Sequence, residues 1–203
     1  MTTQPDATGS GTTARALLPA AAERFGSLVH AVPSGAWSAP TPCAGWSVRD
    51  LVNHLVAEHL WVPPLLSGAT LADVGDRFDG DVLGDDPVAA WDAAIAASMR
   101  SWAMAREDQK VDLSDGPTEA TEYAEQMLLD LVVHAWDLAR AAGLDDSLDP
   151  QHAEHALAYL EPHAAAWAAA GVFAEPVTTS RTDDAGRLIA LTGRDPDWRP
   201  GSA

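Results

Sequence analysis

Two pairs of residues in the sequence combine an imidazole with a carboxylate at helical spacing. Asp130 and His134 are four residues apart in LLDLVVHAWDLARAAG, and His54 and Glu58 have the same spacing in RDLVNHLVAEHLW. Residues four apart in an α-helix lie on one face, so each pair presents both groups together. Two His and one carboxylate on two facing helices would form a three-ligand site for a divalent transition metal, with open positions for water or substrate.

The residues around Asp130 and His134 indicate a buried helix. Its polar residues fall within about 40° of one line along the helix, and the residues on both flanks of this line are apolar. The polar residues are Tyr123, Gln126, Asp130, His134 and Asp137. A solvent-facing surface is normally broader and richer in Glu, Lys and Arg. We therefore expect a buried helix that lines a polar site. The alternative is a local hydrogen-bonded pair on an exposed strip.

Several neighbouring side chains have more than one interpretation. Glu58 is a candidate fourth ligand, a hydrogen-bond acceptor for an imidazole, a general base, or a solvated surface residue. Asp137 either orients His134 or pairs with Arg140, and Arg140 either binds an anionic substrate or cofactor or forms a structural ion pair. For Cys43, in the loop before the second helix, we expect a buried and inert packing role. The other histidines have no convergent partners in the sequence: His30, His59, His152, His155 and His163.

The charge and cysteine content exclude several classes of function. The chain has 30 acidic and 12 basic residues, and its net charge of -18 repels phosphate backbones and anionic lipid. We expect no nucleic acid and no membrane partner, which leaves small molecules, metal cations and other proteins, including a second copy in a homodimer. Cys43 is the only cysteine, so an internal disulfide and a Cys-based zinc cluster are excluded. No signal peptide is recognisable, and a cytoplasmic location is expected.

The pattern of apolar residues and breakers predicts helices and no confident strand. The predicted helices span about residues 13–31, 47–64, 86–102, 119–142 and 150–171. Ser47 and Asp50 form a capping box at the start of the second helix, and Pro63 and Pro64 are expected to end or kink it. The segments 67–86 and 107–118 are interpreted as connections. The tail is irregular, except for one short helix in RLIALTG.

Helices of this number and length predict an all-α protein. The expected architecture is an up-and-down four-helix bundle with an additional C-terminal helix and an irregular tail, and such bundles place functional residues on inward faces. We divide the chain into a disordered tail at 1–12, a helical bundle at 13–172, and a C-terminal extension at 173–203 that packs on the bundle.

Three stretches of the sequence resemble a known family. TPCAGWSVRDLVNHLVAEHLW and EYAEQMLLDLVVHAWDLARAAG are similar to the metal-binding domain of mycothiol-dependent maleylpyruvate isomerases, within the DinB-like superfamily of four-helix bundles. The ending RLIALTGRDPDW resembles an actinobacterial subgroup of that family. The resemblance implies a divalent metal, typically zinc, held by His54, Asp130 and His134. The imidazole and carboxylate donors also suit nickel, iron or manganese. The resemblance also implies mycothiol, or a similar low-molecular-weight thiol, as co-substrate.

The function that follows is a thiol-dependent transferase or isomerase acting on a small electrophile. Asp130 stands where the isomerases carry Glu, so the shorter carboxylate would ligate at a different angle or through a water. The isomerases also have a further C-terminal domain, whereas about 30 residues follow Gly171 here. The resemblance therefore supports the metal site more strongly than it supports the isomerase reaction. The alternatives are a non-catalytic metal-binding or stress-associated protein with a structural metal, and a metal-dependent hydrolase.

Overall fold

The computed structural model describes residues 12–106 and 108–201. Within these ranges the elements are, in chain order, α1 (Ala14–Ala31), α2 (Val48–Leu66), α3 (Leu71–Val74), α4 (Pro87–Met104), β1 (Lys110–Leu113), β2 (Gly116–Glu119), α5 (Ala120–Ala142), α6 (Pro150–Leu160), α7 (Ala164–Ala169) and α8 (Asp184–Leu191). The predicted all-α class is confirmed, since the only sheet among these residues is one two-stranded hairpin. The predicted disordered tail lies outside the described residues apart from Thr12.

The four long helices form a bundle around an apolar core. Helix α1 packs against α5 and α2 packs against α4, while α2 and α5 also meet. The largest fully buried side chains come from all four of these helices and include Phe25, Leu55, Trp91 and Leu128. In α5, 16 of 23 residues are buried, so the expected buried helix is confirmed and its polar stripe faces the interior. No helix in the described ranges has the length and apolar character needed to cross a membrane.

Helix α2 begins as predicted and continues further than predicted. The Ser47 and Asp50 capping box is present, with the Asp50 backbone N–H donating to the Ser47 hydroxyl. The helix passes through Pro63 and Pro64 and ends at Leu66. Prolines remove backbone donors and weaken a helix, but here they lie in its last turn, where Leu65 is buried and the Ser67 N–H caps the Pro63 carbonyl. The helix therefore ends two residues after Pro64 and not at the prolines themselves.

Two segments interpreted as connections contain regular structure. Thr70 forms a capping box with Asp73 and starts the short helix α3. Strands β1 and β2 pair antiparallel, with Val111 opposite Thr118, and Gly116, the first residue of β2, has a φ of +100°. The interpretation of residues 107–118 as a plain connection was wrong here, and the Asp-Gly pair in this segment is a common signal for a hairpin.

The predicted fifth helix is broken into α6 and α7. Pro162 lies between them, and because proline has no backbone N–H it cannot continue the ladder of α6. Helix α8 includes most of the short helix predicted in RLIALTG, and it packs against α6 with Leu188 and Ile189 buried.

His59 is enclosed between α2 and α4. Its side chain is 0% exposed, its Nδ1 is 2.9 Å from the Ser98 hydroxyl oxygen, and its ring lies edge-on to Trp91 at 5.4 Å. Its Nε2 has no hydrogen-bond partner among the described residues. Burial disfavours the charged imidazolium and lowers the pKa of His59 to about 4.

Acidification should therefore destabilise the protein through His59. The unfolded chain takes up this proton near pH 6.5 and the folded chain only near pH 4, so stability falls as the pH drops through this window. The expected loss is about 3 kcal/mol, from about 1.4 kcal/mol per pKa unit. Urea unfolding between pH 7 and pH 4 measures it, with His59→Asn as the non-titrating comparison. Parallel pH curves for the two proteins would contradict the assignment.

Candidate metal centre

His54, Asp130 and His134 converge where α2 meets α5. Each offers one ligand atom, and the three atoms lie within 4.8 Å of one another. The His54 Nε2 is 3.2 Å from Asp130 Oδ2, and the His134 Nε2 is 3.2 Å from Asp130 Oδ1. The structure thus brings together the three residues that the family resemblance implies as ligands. We call this group the His-Asp-His cluster.

The cluster fits a divalent transition metal. Two imidazole nitrogens and a carboxylate oxygen are a donor set that zinc and related metals accept, and three protein donors leave further coordination positions open. The Oδ2 of Asp130 is buried and makes no hydrogen bond with the described residues, since its approach to the His54 ring lacks hydrogen-bond geometry. A buried carboxylate oxygen without a partner is costly, and a cation at this position would satisfy it.

The electrostatics of the cluster favour positive charge. Burial acts to raise the pKa of Asp130, but the two neighbouring imidazoles outweigh it and hold the pKa far below its usual value. Burial acts to lower the pKa of His134, but Asp130 and Asp137 outweigh it and raise that pKa to about 9. The pKa of His54 is raised in the same way, mainly by Asp130 against the effect of burial. Asp130 therefore stays ionised and attracts positive charge, whether protons on the imidazoles or a metal.

A buried carboxylate and an arginine fix the orientation of His134. Asp137 is 0% exposed, and its Oδ2 is 2.9 Å from His134 Nδ1. The guanidinium of Arg194, itself 6% exposed, donates from Nε to both Asp137 oxygens at 3.0 and 2.9 Å. Burial disfavours the charge on Asp137, yet Arg194 and His134 outweigh it and lower its pKa, so the carboxylate accepts and His134 Nδ1 donates. The Nε2 of His134 therefore faces the cluster, where a metal that displaced its proton would meet the nitrogen lone pair, as in metal-ligating histidines.

Trp46 covers the cluster on another side. Its ring is stacked on His134 at 5.7 Å and an angle of 19°, and lies 4.9 Å from the ring of His54. The Thr41 hydroxyl donates to the Trp46 carbonyl at 3.0 Å and holds this loop in place. The sequence interpretation missed the roles of Trp46 and Arg194 in the site, since both lie outside the helices that supply the cluster.

A cavity of about 300 Å³ opens beside the cluster. His54 and Asp130 line it, together with polar and apolar side chains from α2, α5, the β1–β2 turn and the segment after α6: Glu58, Asp115, Tyr123, Gln126, Met127, Leu129, Trp167, Val172 and Phe173. A second cavity of about 500 Å³ shares four of these residues, Glu58, Asp115, Tyr123 and Gln126. A small molecule therefore has room next to the candidate ligands.

Glu58 lies at the boundary between the two cavities. Its side chain is 40% exposed, and its Oε1 is 3.9 Å from His54 Nδ1, beyond hydrogen-bond distance. Partial burial and the charge of Asp130 raise the pKa of Glu58, against the effect of the two imidazoles. The carboxyl group is thus not among the three converging ligand atoms, and it is accessible to a molecule in either cavity.

Arg140 and Cys43 do not line either of these cavities. Arg140 pairs with Asp146, donates to the Pro196 carbonyl at 3.0 Å and lies over the ring of Trp136, so its role in cofactor binding stays a prediction. Asp137 does not pair with Arg140 as one interpretation held. Cys43 is half-buried, and burial raises the pKa of its thiol, which keeps it protonated and weakly reactive.

Comparison with known proteins assigns the chain to a family. Residues 18–139 match the family described as mycothiol maleylpyruvate isomerase N-terminal domain. The chain belongs to this family. Two uncharacterized proteins of Mycobacterium tuberculosis, from strains CDC 1551 and H37Rv, are each 30% identical over 149 residues, covering 68% of this chain and 72% of the relative. No solved structure matches the chain.

The residues that match the family include the His-Asp-His cluster but not every residue that holds the cluster in place. The matched residues run from α1 into α5 and include all three candidate ligands and Asp137. Arg194 follows α8 and lies outside the matched residues. In this member of the isomerase N-terminal domain family, a residue from the C-terminal extension therefore completes the support of His134.

Proposed function

We propose that the protein holds a divalent metal, zinc as the first choice, at His54, Asp130 and His134, and that it is a thiol-dependent transferase or isomerase acting on a small electrophile. The observation that carries the proposal is the convergence of three ligand atoms beside an accessible cavity. Membership in a family named for a mycothiol enzyme makes mycothiol the first candidate for the thiol. The reducing cytoplasm, where such thiols are kept reduced, is the location that the proposal implies.

A metal at this position would act as a Lewis acid that stabilises a thiolate at neutral pH. Glu58 is placed to accept the proton that the thiol loses, because it borders the cavity and its raised pKa makes it a better base than an ordinary carboxylate. Trp46 and Asp137 keep the imidazoles oriented while this proton moves.

The two reactions differ in the bond that breaks after the sulfur has attacked. In a transfer, the thiolate electron pair forms an S–C bond and the leaving group departs with the pair of the bond it breaks, taking up the proton held by Glu58. In an isomerisation, the sulfur adds to an activated double bond and the displaced π electrons move onto the conjugated carbonyl. Rotation about the resulting single bond follows. The enolate electrons then re-form the carbonyl and the carbon–carbon double bond as the S–C bond breaks with its pair returning to sulfur. Both sequences balance without an oxidant or reductant.

The competing proposal from another class is a structural metal in a non-catalytic protein. A closed structural site normally has four protein ligands. Glu58 is the nearest candidate for the fourth ligand, but its carboxylate lies 3.9 Å from His54 Nδ1. This nitrogen is on the opposite side of the ring from Nε2, which faces Asp130. The adjoining cavity favours an open coordination position instead.

Substitution of Glu58 distinguishes the two. Glu58→Gln should retain one metal per chain and an unchanged melting temperature, while thiol-dependent turnover falls about a hundredfold or more through loss of the base. Metal content, thermal unfolding and turnover are measured on the same preparation. Glu154→Gln removes an exposed carboxylate that lines neither cavity and should change none of the three. Joint loss of metal and folding in Glu58→Gln would favour the structural metal.

The proposed thiol-dependent activity is tested by screening electrophiles and thiols. Zinc-loaded protein is incubated with electrophiles and with mycothiol, cysteine or glutathione, and conjugates and isomers are followed by mass spectrometry and chromatography. Metal-dependent product with at least one thiol is the expected result. Product formation equal to that of the uncatalysed mixture for all three thiols would contradict the proposal.

A further inference from the structure

The walls of the two cavities are acidic. Glu58 and Asp115 line both cavities and Asp130 lines the one beside the cluster, whereas no Lys or Arg lines either of them in the described ranges. Asp115, in the turn between β1 and β2, has no ion-pair partner among the residues that the structure describes. A divalent metal bound with Asp130 would leave one net positive charge, which Glu58 and Asp115 more than balance. An anionic molecule would therefore meet repulsion on entering.

The same walls carry aromatic rings. Trp167 and Phe173, whose rings are 6.1 Å apart, line the cavity beside the cluster, and Trp61 lines the adjoining one. Aromatic faces attract cations, and the attraction strengthens where water is excluded. Carboxylates together with aromatic rings can bind an ammonium group, and the rings can also pack against an apolar portion of the same molecule.

Tyr123 supplies an independent indication of a ligand. Its side chain is 4% exposed and lines both cavities, and its hydroxyl makes no hydrogen bond with the described residues. Buried hydroxyls are nearly always hydrogen-bonded in folded proteins, so one that lines a cavity without a protein partner is available to a molecule bound in that cavity. A hydroxyl both donates and accepts, and it can accept from a ligand N–H beside Glu58.

We propose that the electrophile accepted by this site carries a cationic nitrogen, held beside Glu58 and Asp115, with an apolar portion against Trp167 and Phe173. The proposal rests on the proposed function and names its substrate class. It also excludes dicarboxylate substrates, because two negative charges would face the acidic wall. The net charge of -18 acts in the same direction, since the field of the whole chain draws cations in and repels anions.

Three probes of similar shape and different charge test the proposal without turnover. Benzyltrimethylammonium is the cation, benzyl methyl sulfone the neutral compound and phenylmethanesulfonate the anion. The quaternary nitrogen has no lone pair, so its binding cannot arise from coordination to the metal. Isothermal titration of the zinc-loaded protein at low salt should give an affinity for the cation roughly tenfold above that for the sulfone, and weaker binding of the sulfonate.

Variants assign the preference to the cavity. Asp115→Asn should reduce the affinity for the cation about three- to tenfold and leave that for the sulfone unchanged, since it removes one charge beside the ligand. Glu154→Gln, which removes a charge elsewhere on the surface, should leave the order of affinities intact. Circular dichroism confirms that the variants are folded, and Glu58→Gln is the second cavity variant if Asp115→Asn unfolds.

The outcomes separate this proposal from the proposed function. Equal affinity for the cation and the sulfone, or no saturable binding of any probe, overturns the cationic substrate class. Zinc content is measured on the same samples. Retained zinc without a charge preference overturns only the substrate class, whereas a charge preference in protein that fails to hold zinc supports the acidic cavity and overturns the metal-dependent function.

Discussion

Replacement of His134 by Gln is expected to lower the affinity for Zn²⁺ about a hundredfold or more. Structural zinc sites bind with about 10–16 kcal/mol, so one of three or four ligands accounts for roughly 3 kcal/mol if the ligands share the energy evenly. The Nε2 of His134 is one of the three converging atoms. The Gln amide is close to the imidazole in length but offers no nitrogen lone pair, so it should fill much of the same space without replacing the nitrogen ligand.

A competition titration against a chromophoric chelator measures this loss. The protein must be purified without a His tag, so that the metal count refers to the chain alone. His155→Gln is the matched control, because His155 pairs with Glu125 at 2.8 Å and does not belong to the cluster. Equal zinc affinity in wild type and His134→Gln would contradict the metal centre, as would wild-type protein that cannot be loaded with Zn²⁺ or Ni²⁺.

The sequence was sufficient to predict the parts of the site that depend on local periodicity. Asp130 and His134 meet because they are one helical turn apart, and this holds wherever α5 lies in the fold. The capping box of Ser47 sets the start of α2, and with it the face on which His54 projects. Only the packing of α2 against α5 could not be read from local spacing. It was assumed because helix bundles place functional residues on the inward faces of neighbouring helices.

The remaining parts depend on contacts between residues far apart in the sequence. Arg194 meets Asp137 across 57 positions, and no local pattern indicates which carboxylate a tail arginine contacts. Trp46 reaches His134 from a loop whose path is set by long-range packing. The acidic cavity likewise required the β1–β2 turn to bring Asp115 near Glu58, and this hairpin was not predicted.

The second large effect is expected at the buried pair of Asp137 and Arg194. Asp137→Asn should lower the free energy of unfolding by about 3–5 kcal/mol, because a buried guanidinium then loses its counter-charge. It should also lower zinc affinity about 10- to 100-fold, because a neutral amide no longer fixes and polarises the His134 imidazole. Urea unfolding and the chelator titration measure the two quantities separately. Arg187→Met, which removes a pair with Glu161 on the surface, should cost less than about 1 kcal/mol and leave zinc binding unchanged.

The double variant Asp137→Asn/Arg194→Met separates stability from metal support. Without the buried guanidinium there is no unpaired charge, so most of the lost unfolding free energy should return. Zinc affinity should stay low, since His134 still lacks its carboxylate partner. Recovery of zinc affinity together with stability would mean that Asp137 acts on the metal centre only by keeping the chain folded. A fall in zinc affinity in Arg194→Met alone would place part of the metal centre in the C-terminal extension, outside the residues that match the family.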